Sequence, residues 1–117
     1  MYKFKYDLLF NRDTLGDKAR LGTVGIPRVL NIYEDYPFWH KFFTSLGFDI
    51  VLSDKSSREI YEKGLGSISS ETACYPAKLA HGHMENLISK NPDLIFYPAV
   101  FYEYKQYDKA KNHMNCP

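Results

Sequence analysis

Short apolar segments alternate with segments of helical periodicity through most of this chain. The apolar segments span residues 23–26, 48–52 and 94–97, and each is followed by a proline or a polar turn. Crossovers between parallel strands are right-handed, so an alternating order favours a mostly parallel sheet with helices on both faces. The order therefore predicts a doubly wound, three-layer, Rossmann-like α/β fold with about three to four strands.

Two helical segments are expected to supply most of the helical core. In the first, Pro37 fits the first turn and Gly47 follows the C-terminus. Its apolar residues recur at i, i+3, i+4 and i+7, and they are Trp39, Phe42, Phe43 and Leu46. The second helix, over residues 76–89, should present one apolar face made of Ala77, Ala80, Met84, Leu87 and Ile88.

A shorter helix is predicted between these two. Ser56 and Glu59 have the spacing of a capping box, so the helix should run to Lys63 and end at Gly64. The small, polar residues that follow leave room for a brief strand around Ile68.

The N-terminal residues have a different pattern. Aromatic and charged side chains alternate over residues 2–7, which predicts an extended segment over 2–10. Residues 11–22 are mostly polar and read as a loop or linker. We expect residues 1–22 to be a lead-in and residues 23–117 to be the α/β domain.

Composition excludes several functional classes. The 117 residues carry a net charge of +1, which gives no electrostatic reason to expect a nucleic acid or an anionic membrane as partner. No apolar run approaches the roughly 20 residues of a membrane span, and the N-terminus has no signal-peptide pattern. The expected compartment is therefore the cytoplasm, where two cysteines without CxxC spacing argue against a disulfide.

Cys74 is the residue with the clearest chemical potential. It stands two positions before Pro76, which suits the first turn of the predicted helix. The free N–H groups and positive dipole at a helix N-terminus favour a thiolate. Cys74 is therefore a candidate metal ligand, redox thiol or nucleophile, and the alternative is a buried structural cysteine.

Other candidates lie near the expected carboxyl edge of the sheet, where loops 27–36, 53–55 and 98–104 should meet. Arg28 could hold a phosphate or carboxylate, or pair with a surface acid. Lys78 could reach a thiolate or phosphate at the helix start, or be merely exposed. His81 is expected in the core and His83 in solvent, which argues against a two-histidine metal site. Glu71 is an acid on a loop with no evident partner.

Several motifs are more specific than these patterns. They are GIPRVLNIYEDYPFW at 25–39, ETACYPAK at 71–78 with HGH at 81–83, FYP at 96–98 and NCP at 115–117. Together they resemble the uncharacterised domain of long activators of 2-hydroxyacyl-CoA dehydratases. In those proteins the domain stands beside ATPase modules, and it is itself similar to the dehydratase subunits.

The resemblance implies a chemistry. Dehydratase subunits bind a [4Fe–4S] cluster through three cysteines, and the activator hydrolyses ATP and passes an electron to the dehydratase. By their motifs, Cys74 and Cys116 would be two ligands, and a third would lie beyond Pro117. Arg28, Lys78, Glu71 and His81 become candidates to contact the cluster or a ligand. The implied partners are a fused or docked ATPase module, from which residues 1–22 would be the linker, dehydratase subunits and a CoA thioester.

The resemblance also implies limits and alternatives. The chain has no phosphate-binding glycine motif, so no ATP site and no ATPase activity are expected within it. The domain would be truncated at its C-terminal end. A non-catalytic module that docks an ATPase domain or a dehydratase subunit without a cluster is the alternative. A third possibility is an enzyme in which Cys74 is the nucleophile and His81 or His83 the base.

Overall fold

A computed structural model describes residues 2–68, 73–105, 107–109, 113 and 114. Its sheet has three parallel strands, β1 (Thr23–Ile26), β2 (Asp49–Leu52) and β3 (Leu94–Ile95), in the order β2-β1-β3. The α-helices are α1 (Tyr2–Phe10), α2 (Ile32–Leu46), α3 (Arg58–Leu65) and α4 (Tyr75–Lys90). The prediction of a parallel, Rossmann-like α/β fold is confirmed.

The pleat of β1 separates two helical layers. Val24 and Ile26 are fully buried in a cluster that also contains residues of α1 and α2. Gly25 points to the opposite face, where a Cβ would meet Pro92 and Leu87 of the α4 region. The missing side chain lets the end of α4 approach the sheet closely, so one strand holds both layers.

The N-terminal segment is a helix, and the prediction of an extended segment was wrong. The aromatic side chains Tyr2, Tyr6 and Phe10 recur every four residues, with ring centroids 6.3 and 4.8 Å apart. Six alternating residues do not distinguish a strand from a helix, but the spacing of four places these rings on one helical face. Phe10 is buried in the core, and its ring lies 5.1 Å from that of Tyr36.

Helix α2 begins earlier than predicted. It starts at Ile32, so Pro37 lies inside the helix rather than in its first turn. The preceding turn leads directly into the helix, because Glu34 N–H and Asp35 N–H both donate to the carbonyl oxygen of Asn31. Gly47, in the left-handed conformation at φ 100°, ends it as predicted. Phe43 is buried as expected, whereas Phe42 and Leu46 are exposed.

Helices α3 and α4 meet at two glycines. A Cβ on Gly82 would overlap the carbonyl oxygen of Ile60, and one on Gly64 would lie 2.7 Å from Lys78 O. Gly64 is therefore a contact residue inside α3 and not its stop, which corrects the predicted end. The cap is also one residue later than predicted, because the Ser57 hydroxyl accepts from Ile60 N–H.

Two further expectations differ from the structure. Ile68 is not in a strand, so the sheet of the described residues has three members. Strand β3 ends at Ile95, earlier than the predicted 94–97. Residues beyond it form an isolated antiparallel bridge between Tyr102 and Met114.

Candidate functional site

The strand order places a crevice at the carboxyl edge between β1 and β3. Strand β1 has β2 on one side and β3 on the other, so the two crossovers leave in opposite directions. Such a reversal opens a crevice outside the carboxyl ends of the strands, which is where doubly wound proteins bind ligands. The N-terminus of α4 lies at this edge, because Asp93, just after α4, accepts from Thr23 at the opposite end of β1.

A groove of about 340 Å³, here named the switch-point groove, occupies this crevice. Val29 and Leu30 come from the loop after β1, Tyr97 follows β3, and the first half of α4 supplies the remaining wall. The α4 residues are Ala77, Ala80, His81 and Met84. Leu30 adopts φ 48°, which is rare for a residue with a bulky side chain and marks a specified turn. The crevice is thus predominantly apolar.

The predicted apolar face of α4 is split between the groove and the solvent. Ala77, Ala80 and Met84 line the groove, and Leu87 is fully buried under the sheet. Ile88 is 59% exposed, which corrects its expected place in the core. The face that α4 buries contains Gly82, His83, Asn86 and Leu87, because the glycine contact with α3 sets the rotation of the helix.

Cys74 lies at the N-cap of α4, as predicted. Its backbone is extended (φ −64°, ψ 159°), its side chain is exposed, and its sulfur makes no capping hydrogen bond. Its carbonyl accepts from Lys78 N–H at 3.1 Å, which closes the first turn of the helix. The alternative of a buried structural cysteine is wrong, and the thiol lies one turn before Ala77, the first groove residue of α4.

The environments predicted for the two histidines were wrong, and the structure reverses them. His81 is exposed, with its Nδ1 3.3 Å from Ser67 Oγ, whereas His83 is fully buried. The prediction took the apolar residues of α4 as its buried face, but the contact between Gly64 and Gly82 turns His83 toward the interior instead. No hydrogen bond joins either ring to Cys74 within the described part of the chain, so the histidine base of a cysteine nucleophile gains no support.

His83 is the centre of a polar network that the sequence did not indicate. Ser53 Oγ accepts from Arg28 N–H at 2.8 Å and lies 2.8 Å from His83 Nδ1. The other ring nitrogen of His83, Nε2, lies 3.0 Å from Ser56 Oγ, so the ring bridges the two serines. Burial, together with the positive charge of Arg28, lowers the pKa of His83 to about 4.

A second polar cluster ties the loop after β2 to α4. Asn86 accepts from Asp54 N–H and donates to the Asp54 carboxylate, both at 2.8 Å. Lys90 lies 2.7 Å from the same carboxylate and 2.9 Å from Leu52 O. Hydrogen bonds from Lys90 and Asn86 lower the pKa of Asp54. Loop 53–56 is thereby fixed beside α4 on the side of the molecule away from the groove.

Arg28 turns away from Cys74 and packs against α1. Its guanidinium carbon lies 5.7 Å from the Tyr6 ring centroid and 5.4 Å from that of Phe10, and it donates to the Tyr6 hydroxyl. Its Nε is buried without a hydrogen-bond partner among the described atoms. The surface ion pair considered for Arg28 is not present in the described part of the structure.

Of the remaining candidates, the structure describes only Lys78. Lys78 is half-buried in the first turn of α4. Glu71 and Cys116 lie outside the described residues. Within the described ranges, no group of three or more metal-ligating side chains comes together. Cys74 suits a cluster as one exposed sulfur ligand at a helix N-terminus, and the other ligands would come from elsewhere.

Comparison with known proteins identifies the family. The sequence model of the CoA enzyme activase uncharacterised domain (DUF2229) matches residues 23–117. The chain belongs to this family. The resemblance read from the motifs at Pro27–Trp39 and Cys74 is thereby confirmed. No curated protein and no solved structure matches the chain. Among its described helices, none is long and apolar enough to cross a bilayer.

Proposed function

We propose that this activase-family chain is part of an activator of a 2-hydroxyacyl-CoA dehydratase and serves electron transfer through an iron–sulfur cluster. The observation that carries the proposal is the position of Cys74, exposed and uncapped at the N-terminus of α4 beside the switch-point groove. Family membership supports the activator role. When bound, the cluster would supply one-electron chemistry at low potential.

The chain's own contribution would be to hold and shield the cluster. Cys74 and Cys116 would each provide a thiolate, with a third from sequence beyond Pro117. The unpaired N–H groups and the positive dipole at the N-terminus of α4 would offset the negative charge of an all-thiolate site at Cys74. The apolar walls made by Val29, Leu30 and Met84 would exclude water and give space to the acyl part of a CoA thioester.

Anaerobic iron–sulfur reconstitution tests the cluster. The protein would be extended past Pro117 and compared with Cys74→Ala and Cys116→Ala, with visible absorption and iron per chain as readouts. We expect a brown protein with about four irons and a loss of most of both signals in each variant. Tyr75→Phe, a change at the exposed neighbouring residue, is the matched control and should keep its colour and iron.

A parent protein that is folded, colourless and free of iron would overturn the proposal that the chain binds a cluster. Equal iron in Cys74→Ala and the parent would move the site away from α4 while leaving the activator role open.

A docking module without a cluster is the second candidate, and the surface of α2 favours it. Phe38, Phe42 and Leu46 are spaced by four residues and are 62%, 45% and 51% exposed. The rings of Phe38 and Phe42 lie 6.2 Å apart and nearly parallel. An apolar stripe of this kind is suited to a protein partner such as an ATPase module. Co-sedimentation of the chain with that module tests this candidate. The parent should form a complex, and the Phe38→Ser/Phe42→Ser variant should not.

A further inference from the structure

A second cavity lies at the other end of the carboxyl edge, between α1 and the loop after β2. It has a volume of about 230 Å³. Helix α1 contributes Tyr2, Lys3 and Tyr6, and the start of α2 contributes Tyr33. The loop after β2 contributes Lys55 and Ser56. The residues of this cavity differ from those of the switch-point groove, so it constitutes a separate candidate site.

Cationic side chains outnumber acidic ones in and around this cavity. Lys55 Nζ lies 4.9 Å from the Tyr6 ring centroid, and the guanidinium carbon of Arg28 lies 5.7 Å from the same centroid. In the described part of the structure no carboxylate pairs with Lys3, Arg28 or Lys55. The neighbouring Asp54 is already bound to Lys90. Asp7 is the one acid among the described residues of the wall, so the local charge stays positive.

The His83 network ends at a hydroxyl group in the wall of the same cavity. Ser53 Oγ accepts from Arg28 N–H and lies 2.8 Å from His83 Nδ1. His83 Nε2 lies 3.0 Å from Ser56 Oγ. In the tautomer that has its proton on Nε2, the histidine donates to Ser56, and the Ser56 O–H is left to donate to a ligand. Ser56 also stands immediately before Ser57, the N-cap of α3, whose helix dipole adds positive potential.

The aromatic walls select for more than a bare anion. Tyr2 is 75% exposed, and Tyr6 and Tyr33 are partly buried with ring centroids 6.3 Å apart. Planar ring faces of this kind bind flat ligands by stacking. Cations, a serine hydroxyl and tyrosine faces are the groups that bind a phosphate joined to an aromatic ring.

We propose that this cavity binds a phosphate monoester that carries an aromatic ring, the chemical class of a nucleoside monophosphate. The phosphoryl group lies between Lys55, Ser56 and Lys3, and the ring lies against Tyr2 and Tyr33. Drug-sized pockets measure roughly 300–1,000 Å³, so a cavity of this size takes the phosphoryl end and part of the ring. The site lacks a glycine-rich phosphate loop and is a binding site rather than an ATPase centre. It does not depend on a cluster at Cys74.

Calorimetric titration of the folded chain with AMP, inorganic phosphate and adenosine tests the proposal. We expect AMP to bind at least about tenfold more tightly than either fragment, because it engages both the cations and the rings. Lys55→Gln should weaken AMP binding about tenfold, and Tyr2→Leu should weaken AMP binding while leaving inorganic phosphate unchanged. Lys63→Gln, at an exposed lysine of α3 away from the cavity, is the matched control and should stay within about twofold.

A spectroscopic readout distinguishes binding at the cavity from binding elsewhere. A phosphate at Ser56 partly offsets the charge of Arg28, so the pKa of His83 should rise when AMP binds, as followed by NMR of the ring. Ser56→Ala should reduce AMP affinity about three- to fivefold and diminish this response. Circular dichroism verifies that each variant is folded. Equal binding of AMP and adenosine, AMP binding unaffected by Lys55→Gln, or an unchanged His83 signal at saturation would each overturn the proposal.

Discussion

On one face of the sheet, α1 and α2 pack a series of aromatic rings against β1; on the other face, α3 and α4 meet through two glycines. The ring of Phe43 contacts those of Trp39, Phe48 and Phe96 at centroid distances of 5.0–6.3 Å, with no polar atom required. Gly64 and Gly82 instead bring backbones together with no room for a methyl group. The first interface depends on buried area, and the second depends on shape.

The polar groups follow the same division. The α4 face contains His83 and Asn86, both buried and both bonded to the loop after β2. A hydrogen-bonded network fixes direction and register, whereas apolar contacts can adjust by small shifts of side chains. Rigid placement of loop 53–56, and with it of Ser56, therefore depends on α4 rather than on the aromatic layer.

The most severe way to break the glycine-lined interface is to add one methyl group. Gly82→Ala places a Cβ onto the carbonyl oxygen of Ile60, so α3 and α4 must separate. We expect a loss of about 4 kcal/mol in the free energy of unfolding, measured by urea denaturation. In Gly66→Ala the new Cβ meets nothing within 4 Å, so this control should change stability by at most about 1 kcal/mol. Equal behaviour of the two variants would refute close packing at Gly82.

Lowering the pH tests the polar network around His83. The ordinary pKa of histidine is 6.5, and burial lowers that of His83 to about 4. Between these values the unfolded chain binds the proton and the folded chain does not, so stability falls as the pH drops from 6.5 to 4. The difference amounts to at most about 3 kcal/mol, seen as the unfolding free energy plotted against pH.

His83→Gln removes the titrating group and isolates its contribution. The variant should be less stable at neutral pH, since its amide does not reproduce both serine contacts. Its stability should nevertheless depend less on pH between 6.5 and 4 than that of the parent. Parallel curves for the two proteins would show that His83 does not titrate in this way.

The aromatic layer should tolerate a change of shape better. Phe43→Leu removes part of a buried ring but keeps an apolar side chain that neighbouring rings can close around. We expect a loss of about 1.5 kcal/mol by thermal or urea unfolding. Phe42→Leu, on the adjacent exposed position, should cost less than about 0.5 kcal/mol. A loss at Phe43 as large as that at Gly82 would contradict the distinction between the two layers.

Much of the architecture could be predicted because it depends on local pattern. Apolar runs bounded by Pro27 and Ser53 predicted strands β1 and β2, and the position of Pro76 predicted a helix start just after Cys74. The extended segment predicted over residues 2–10 was wrong because the alternation covers only residues 2–7, a length over which strand and helix spacing cannot be told apart. The rings of Tyr6 and Phe10, four residues apart, contained the information that would have corrected it.

The sequence by itself determined the alternating order of strands and helices, the N-cap position of Cys74 and the family motifs at residues 25–39 and 71–78. Each of these depends on neighbours a few residues away in the chain. Tertiary structure alone decided that His83 is buried and His81 exposed, because the contact between Gly64 and Gly82 sets the rotation of α4. It also brought Arg28, Lys55 and Tyr6 together from three separate segments. Contacts between residues distant in sequence depend on how helices pack, which periodicity within one helix does not specify.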